Sequence, residues 1–138
     1  MAREVRAGAG VGGDTVKAIT VDFDGVLHSQ SSGWKGIDVI PDPPVPGAIA
    51  WLTAAVEKFE VHIYSGRSHS MDGINAMRFW LDRNGLPVEA MRRLNFACKK
   101  PDAPHMMIDD RAWRFDGAFP TMDEIEEFSS WIDRKVMP

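Results

Sequence analysis

Apolar residues in this chain fall into short blocks with two different periods. Lys17–Asp22 reads as a continuous apolar run cut off by acid, and Val61–Ser65 as a second one stopped by Gly66. Such runs, bounded by turn residues, predict buried strands. Arg93–Ala97 and His105–Asp109 fit a third and a fourth strand. Between them the period lengthens. Ile49, Leu52, Val56 and Phe59 share one stripe after Pro46, a residue suited to a first helical turn. Ser70–Asn84 carries Ile74, Met77 and Leu81 on one face, with Gly85 as the stop and Pro87 beyond it. Thr121 and Glu124 form a capping box ahead of a last helix, whose stripe of Met122, Ile125, Phe128 and Ile132 is expected to be buried. Strands alternating with helices predict an α/β fold with a mainly parallel central sheet covered on both faces.

Two stretches break the alternation. Residues 1–14 are small and Gly-rich and read as a flexible leader, leaving 15–138 as a single domain. The "GAGVGG" within it lacks the preceding strand and following helix that a phosphate loop requires. Between the first strand and first helix lies "GVLHSQSSGWKG", a hairpin-like stretch, and then "PDPPVPG", whose prolines stiffen the approach to the helix.

Composition changes this picture little. The 138 residues suit one domain, and 44% hydrophobic with 26% charged residues is ordinary for a globular protein. A net charge of −4 offers no general attraction to nucleic acid or anionic membrane, although it allows a local basic patch. The single cysteine, Cys98, forms no internal disulfide, and its expected role is that of a small residue near a strand end. There is no membrane-length apolar run and no signal-peptide pattern, so a cytoplasmic protein is expected.

The chemistry gathers where the predicted strands end. In a parallel α/β sheet, ligands bind outside the carboxyl ends of the strands. "TVDFDGVL" places Asp22 and Asp24 two residues apart at such an end, so both can face one crevice. Close carboxylates either share a proton or bind a cation, and oxygen ligands suit a hard ion such as Mg²⁺. Taken alone, the pair also fits a solvated turn with Gly25. "MMIDDR" repeats the arrangement with Asp109 and Asp110 at the fourth strand. Four carboxylates on one rim would repel one another without a cation. Between the acidic pairs, "YSGRS" offers Ser65 and the backbone N–H groups of Gly66 and Arg67 to an anion, and "CKKP" offers Lys99 or Lys100.

In this order, "TVDFDGVL", "VHIYSGR", "KKP" and "MMIDDRA" resemble the haloacid-dehalogenase-like (HAD) phosphohydrolase superfamily over about residues 17–112. The resemblance implies a three-layer α/β/α sandwich around a Rossmann-like sheet, and Mg²⁺-dependent phosphatase chemistry. It implies that Asp22 is the nucleophile forming an aspartyl-phosphate and also a Mg²⁺ ligand. Asp24 would bind the metal through its backbone carbonyl, while its side chain protonates the leaving oxygen and then activates water. Asp22 must then be ionised while Asp24 starts out protonated. Ser65 would hold the phosphoryl group and a lysine would stabilise its charge. Pro101 favours Lys100 for that lysine, with Lys99 open. At least one of Asp109 and Asp110 would ligate the metal. Gly25, Ser65, Gly66, Arg67 and Lys99 would be the substrate-binding positions. Val26 stands where many members have Thr.

Larger relatives insert a cap domain, but about twenty residues between Leu27 and Pro46 suffice only for a flap. A capless, open site suits a bulky phosphoester such as a nucleic-acid end, or a small one enclosed by a second copy in a homo-oligomer. Trp34, at the flap tip, either stacks on a ring of the substrate or packs locally. Arg67, Arg92, Arg93, Lys99 and Lys100 are a candidate basic rim. Two alternatives to a general phosphatase are a polynucleotide-end (3′-phosphate) phosphatase and a non-catalytic phosphate- or nucleotide-binding module. A response-regulator receiver has the acidic pair first and the phosphorylated aspartate later, the reverse of the order here.

Overall fold

The computed structural model describes residues 16–97 and 99–136. Both the expected leader and Cys98 lie outside the described residues. Four strands form one parallel sheet: β1 (Ala18–Val21), β2 (Glu60–Tyr64), β3 (Asn95–Ala97) and β4 (Met106–Ile108), in the order β3-β2-β1-β4. All four expected strands are present: β1, β3 and β4 are shorter than their expected runs, and β2 has the expected length but starts one residue earlier. The two central ones, β1 and β2, hold the most buried side chains.

The register sorts the side chains by face. Ile19 pairs with Val61 and Met106, and Val21 with Ile63 and Ile108. Ile19, Val21, Val61 and Ile63 enter one core with Leu52 and Val56 of helix α1 (Ala48–Lys58) and with Met77, Trp80 and Leu81 of α2 (Met71–Arg83). Helix α3 (Val88–Arg93) packs against both α1 and α2, so the three helices cover that face as one layer. The opposite parity, Thr20, His62, Asn95 and Met107, is not part of this core. The architecture is therefore α/β with a parallel sheet, as the alternation predicts. No helix among the described residues is long and apolar enough to cross a membrane.

Local chemistry explains most helix boundaries. Ser70 caps α2 by accepting the Gly73 N–H at 3.1 Å, and Gly85, at φ +96°, takes the left-handed turn that stops it. Gly47, at φ +86°, is the N-cap of α1, so Pro46 lies just before the helix rather than in its first turn. Between Pro87 and β3 the chain forms α3, a helix outside those expected, which takes Arg93 out of the third strand.

The C-terminal expectation is only half met. The capping box of Thr121 and Glu124 forms and starts α4 (Met122–Glu126), but the helix breaks and resumes as α5 (Trp131–Val136). Met122, Ile125 and Phe128 are exposed, at 76%, 55% and 45%, so the stripe is not buried. Periodicity identified a helical segment, but nothing in a period supplies a surface for it to pack on.

Candidate active site at the strand ends

Strands β1 and β4 are parallel neighbours, so their carboxyl ends meet at one rim. The Asp22 N–H donates to the Ile108 carbonyl at 2.9 Å, extending the β1–β4 ladder and setting Asp22 beside the Asp109–Asp110 pair. Carboxylate oxygens of Asp22, Asp109 and Asp110 lie within 4.8 Å of one another. The Phe23 N–H donates to Asp22 Oδ1 at 2.8 Å, and the Arg111 N–H to Asp109 Oδ1 at 2.7 Å, which fixes two of the three heads. Gly25, at φ +87°, abuts the third: a Cβ built there would collide with the Asp110 carboxylate. Trp131 Nε1–H donates to the Gly25 carbonyl at 2.7 Å and holds this turn in place.

Three carboxylates this close store repulsion. Burial, a hydrogen bond with Asp110 and the charge of Asp109 together push Asp22 from 3.8 up to about 8. Bringing a divalent cation into the cluster would reverse that preference, because a positive charge favours the ionised form. The donor set of three carboxylate oxygens also matches a hard ion.

Asp24 does not join them. The strand ends at Val21, and Leu27 and His28 both donate backbone N–H groups to the Phe23 carbonyl at 2.9 and 3.0 Å, making a tight turn. That turn ends strand alternation, so the two-residue spacing no longer puts Asp22 and Asp24 side by side. Asp24 instead accepts from Arg67, with Nε at 2.9 Å from Oδ2 and Nη2 at 3.1 Å from Oδ1. His28 Nδ1 donates to Asp24 Oδ1 at 2.8 Å, because His28 Nε2 accepts the Asp42 N–H at 3.1 Å. Burial raises Asp24, but the His28 and Arg67 hydrogen bonds outweigh it and hold the carboxyl below its ordinary value. Without a cation, then, Asp22 favours its proton and Asp24 its charge, whereas the order that the resemblance implies belongs to the metal-bound site.

The two sides of β2's end also differ from expectation. Ser65 is buried and its Oγ accepts the Arg67 N–H at 3.1 Å, capping a one-turn 3₁₀ helix over Gly66–His69. That N–H is thus already used, so Gly66 is left as the exposed backbone donor beside Ser65. The Arg67 side chain is 1% exposed and bonded on both sides, so it is not part of an exposed basic rim. Its Nη1 donates to the carbonyls of Gly36 at 2.8 Å and Ile37 at 2.7 Å, and its guanidinium lies 4.5 Å from the Trp34 ring centre.

Residues 30–42 form the expected flap. Its base is closed by Ser29 N–H to the Pro43 carbonyl at 3.0 Å and Val45 N–H to the Leu27 carbonyl at 2.8 Å. Inside it, Ser32 N–H donates to Asp42 Oδ2 at 2.8 Å. His28 and Asp42, both buried, were not singled out in the sequence. Their only sequence signal is a histidine and an aspartate flanking the flap; the contact joining them spans fourteen residues.

A polar crevice of about 220 Å³ opens at the rim, lined by Asp22, Tyr64, Ser65, Gly66, His69 and Asp109. His69 and Tyr64 are additions to the expected set. Lys99 and Lys100 are exposed on the loop after β3 and do not line this crevice. Arg92 pairs with Glu89 and Arg93 with Glu57, so these two serve surface ion pairs rather than a basic rim. Comparison with family models, curated proteins and solved structures finds no match to this chain.

Proposed function

We propose that this chain is a Mg²⁺-dependent phosphomonoester hydrolase of the HAD-like kind, with Asp22 as the nucleophile. The observation that carries the proposal is the meeting of Asp22, Asp109 and Asp110 on adjacent strand ends, beside a crevice floored by Ser65. Asp22, Asp109 and Asp110 would hold the cation, which offsets their repulsion and the charge of a bound phosphoryl group. The opposite face of the sheet would carry the second helical layer of a three-layer sandwich.

Phosphoryl transfer asks mainly for positioning and charge neutralisation. The Asp22 carboxylate attacks phosphorus as the ester P–O bond breaks, giving an aspartyl-phosphate and an alcohol. Water then attacks that phosphorus, releasing phosphate and restoring Asp22. Ser65 and the Gly66 N–H orient the phosphoryl oxygens. The leaving oxygen needs a proton, and here the structural reading departs from the resemblance. Asp24 is committed to Arg67 and His28, whereas His69 lines the crevice with Asp22. We assign the proton to His69 and make Asp24 the ionised anchor of the flap.

The test is a panel of phosphomonoesters assayed in Mg²⁺ and in EDTA, with Asp22→Asn alongside. Turnover should need the metal and disappear in the variant. Turnover that survives both changes defeats the proposal. Tight binding of phosphate analogues with no turnover anywhere would favour a non-catalytic phosphate-binding module.

A further inference from the structure

Between Met106 and Phe128 the chain exposes eight large apolar side chains, from Met107 at 43% to Phe119 at 84%. Taking about 150–250 Å² per large side chain, this leaves on the order of 900 Å² of apolar surface in solvent. One partner of a standard protein–protein interface contributes about 800 Å². Helix α4 sits within this stretch. Its capping box is complete, yet five residues are too few to hold a helix by local bonds alone. Met122 and Ile125, with Phe128 just beyond, fall on one side, and Asp123, Glu124, Glu126 and Glu127 occupy the opposite arc. The helix is amphipathic, and nothing among the described residues buries its apolar side.

The same chain carries an open apolar groove beside the start of α1. Val26, Leu27, Val45, Pro46, Trp51 and Ile108 line about 350 Å³ of it, and no charged side chain does. Stripe and groove do not meet within one copy: the stripe residues are exposed and none of them lines the groove. Residues 1–15 contain no aromatic, Leu or Ile with which to cover either. We infer that the chain forms a two-fold homodimer in which the Met122, Ile125 and Phe128 stripe of each copy seats in the groove of the other. Every copy carries both halves, so one two-fold axis satisfies both contacts at once and closes the assembly. The acidic arc of α4 stays at the solvent rim. The inference is independent of the phosphatase reading, because neither stripe nor groove includes a residue of the carboxylate cluster or its crevice.

Sedimentation velocity over a concentration series reads the assembly, with circular dichroism as the check on folding. Wild type should sediment as a dimer at micromolar concentration. Ile125→Lys puts a charge into the stripe and Trp51→Glu puts one into the groove. Both replace side chains that a single copy leaves exposed, at 55% and 42%, so both variants should fold. Each alone should raise the dimer dissociation constant at least about thirtyfold. Mixed in equal amounts the two should dimerise again, because one contact is then native and the other sets opposite charges against each other. If either charge disturbs folding, Ile125→Ser and Trp51→Ser should weaken the dimer in the same direction. A wild-type chain that stays monomeric at every concentration overturns the inference. So does a dimer indifferent to both substitutions, or a mixture of the two charged variants that stays monomeric.

Discussion

Replacing Arg67 by methionine keeps an unbranched apolar stem and removes every polar contact of the side chain. Lost are the charged bonds to both oxygens of Asp24 and the donations to Gly36 and Ile37. Asp24, only 15% exposed, would be left with His28 as its remaining partner. Removing one member of a buried ion pair costs about 3–5 kcal/mol, chiefly because the other charge stays desolvated. Urea unfolding followed by circular dichroism reads this directly. With a slope of about 2 kcal/mol/M, a loss of about 4 kcal/mol moves the midpoint down by about 2 M. Adding Asp24→Asn to Arg67→Met should recover part of the loss, because the stranded charge is removed. A surface arginine reserved for substrate would cost no more than about 0.5 kcal/mol. A midpoint shift below about 0.5 M, or no recovery in the double variant, refutes the clamp.

Other consequences follow from the same geometry. In EDTA, the raised Asp22 makes the folded state bind more protons than the unfolded one between pH 3.8 and about 8. Its contribution is fully present below pH 3.8 and lost as pH rises towards 8, so the melting temperature should fall over that range; Mg²⁺ or Asp22→Asn should flatten the fall. Asp24 has the opposite sign: its stabilisation is present above its ordinary value of 3.8 and is lost as pH drops further. Acid unfolding of Asp24→Asn should therefore be less steep than that of wild type. Gly25→Ala forces a side chain into a left-handed backbone and into the Asp110 carboxylate, so Mg²⁺ affinity measured by calorimetry should fall at least about tenfold. His69→Gln should lower kcat by about a hundredfold on an alkyl phosphate, whose leaving oxygen needs a proton, and spare p-nitrophenyl phosphate, whose leaving group does not. An equal loss on both substrates would return the proton to another group.

What the sequence made legible was what neighbouring residues decide. Strand β1 could be read because an apolar run stops at Asp22, and α2 because Ser70 and Gly85 bracket it. The meeting of Asp22 with Asp109 and Asp110 was also legible, since parallel strands bring their carboxyl ends to one edge. Asp24 was misplaced because strand alternation was extended past Val21, where backbone bonds to Phe23 already turn the chain. The Arg67 side chain read as a rim charge for a related reason: an arginine just after a strand-end serine looks free until the carbonyls of residues 36 and 37 close on it. Likewise, the apolar stripe of α4 announces a helix but not a neighbour. Contacts made across tens of residues leave no period to read.

The central claim is that Asp22 forms the covalent intermediate, and rapid-quench trapping in Mg²⁺ with the ³²P-labelled phosphomonoester turned over fastest in the panel tests it most directly. Peptide mapping should place an acid-stable, hydroxylamine-labile phosphate on the peptide containing Asp22, with none in Asp22→Asn. Substrate hydrolysis with no label on Asp22 at any quench time, or label on another residue, would contradict the account.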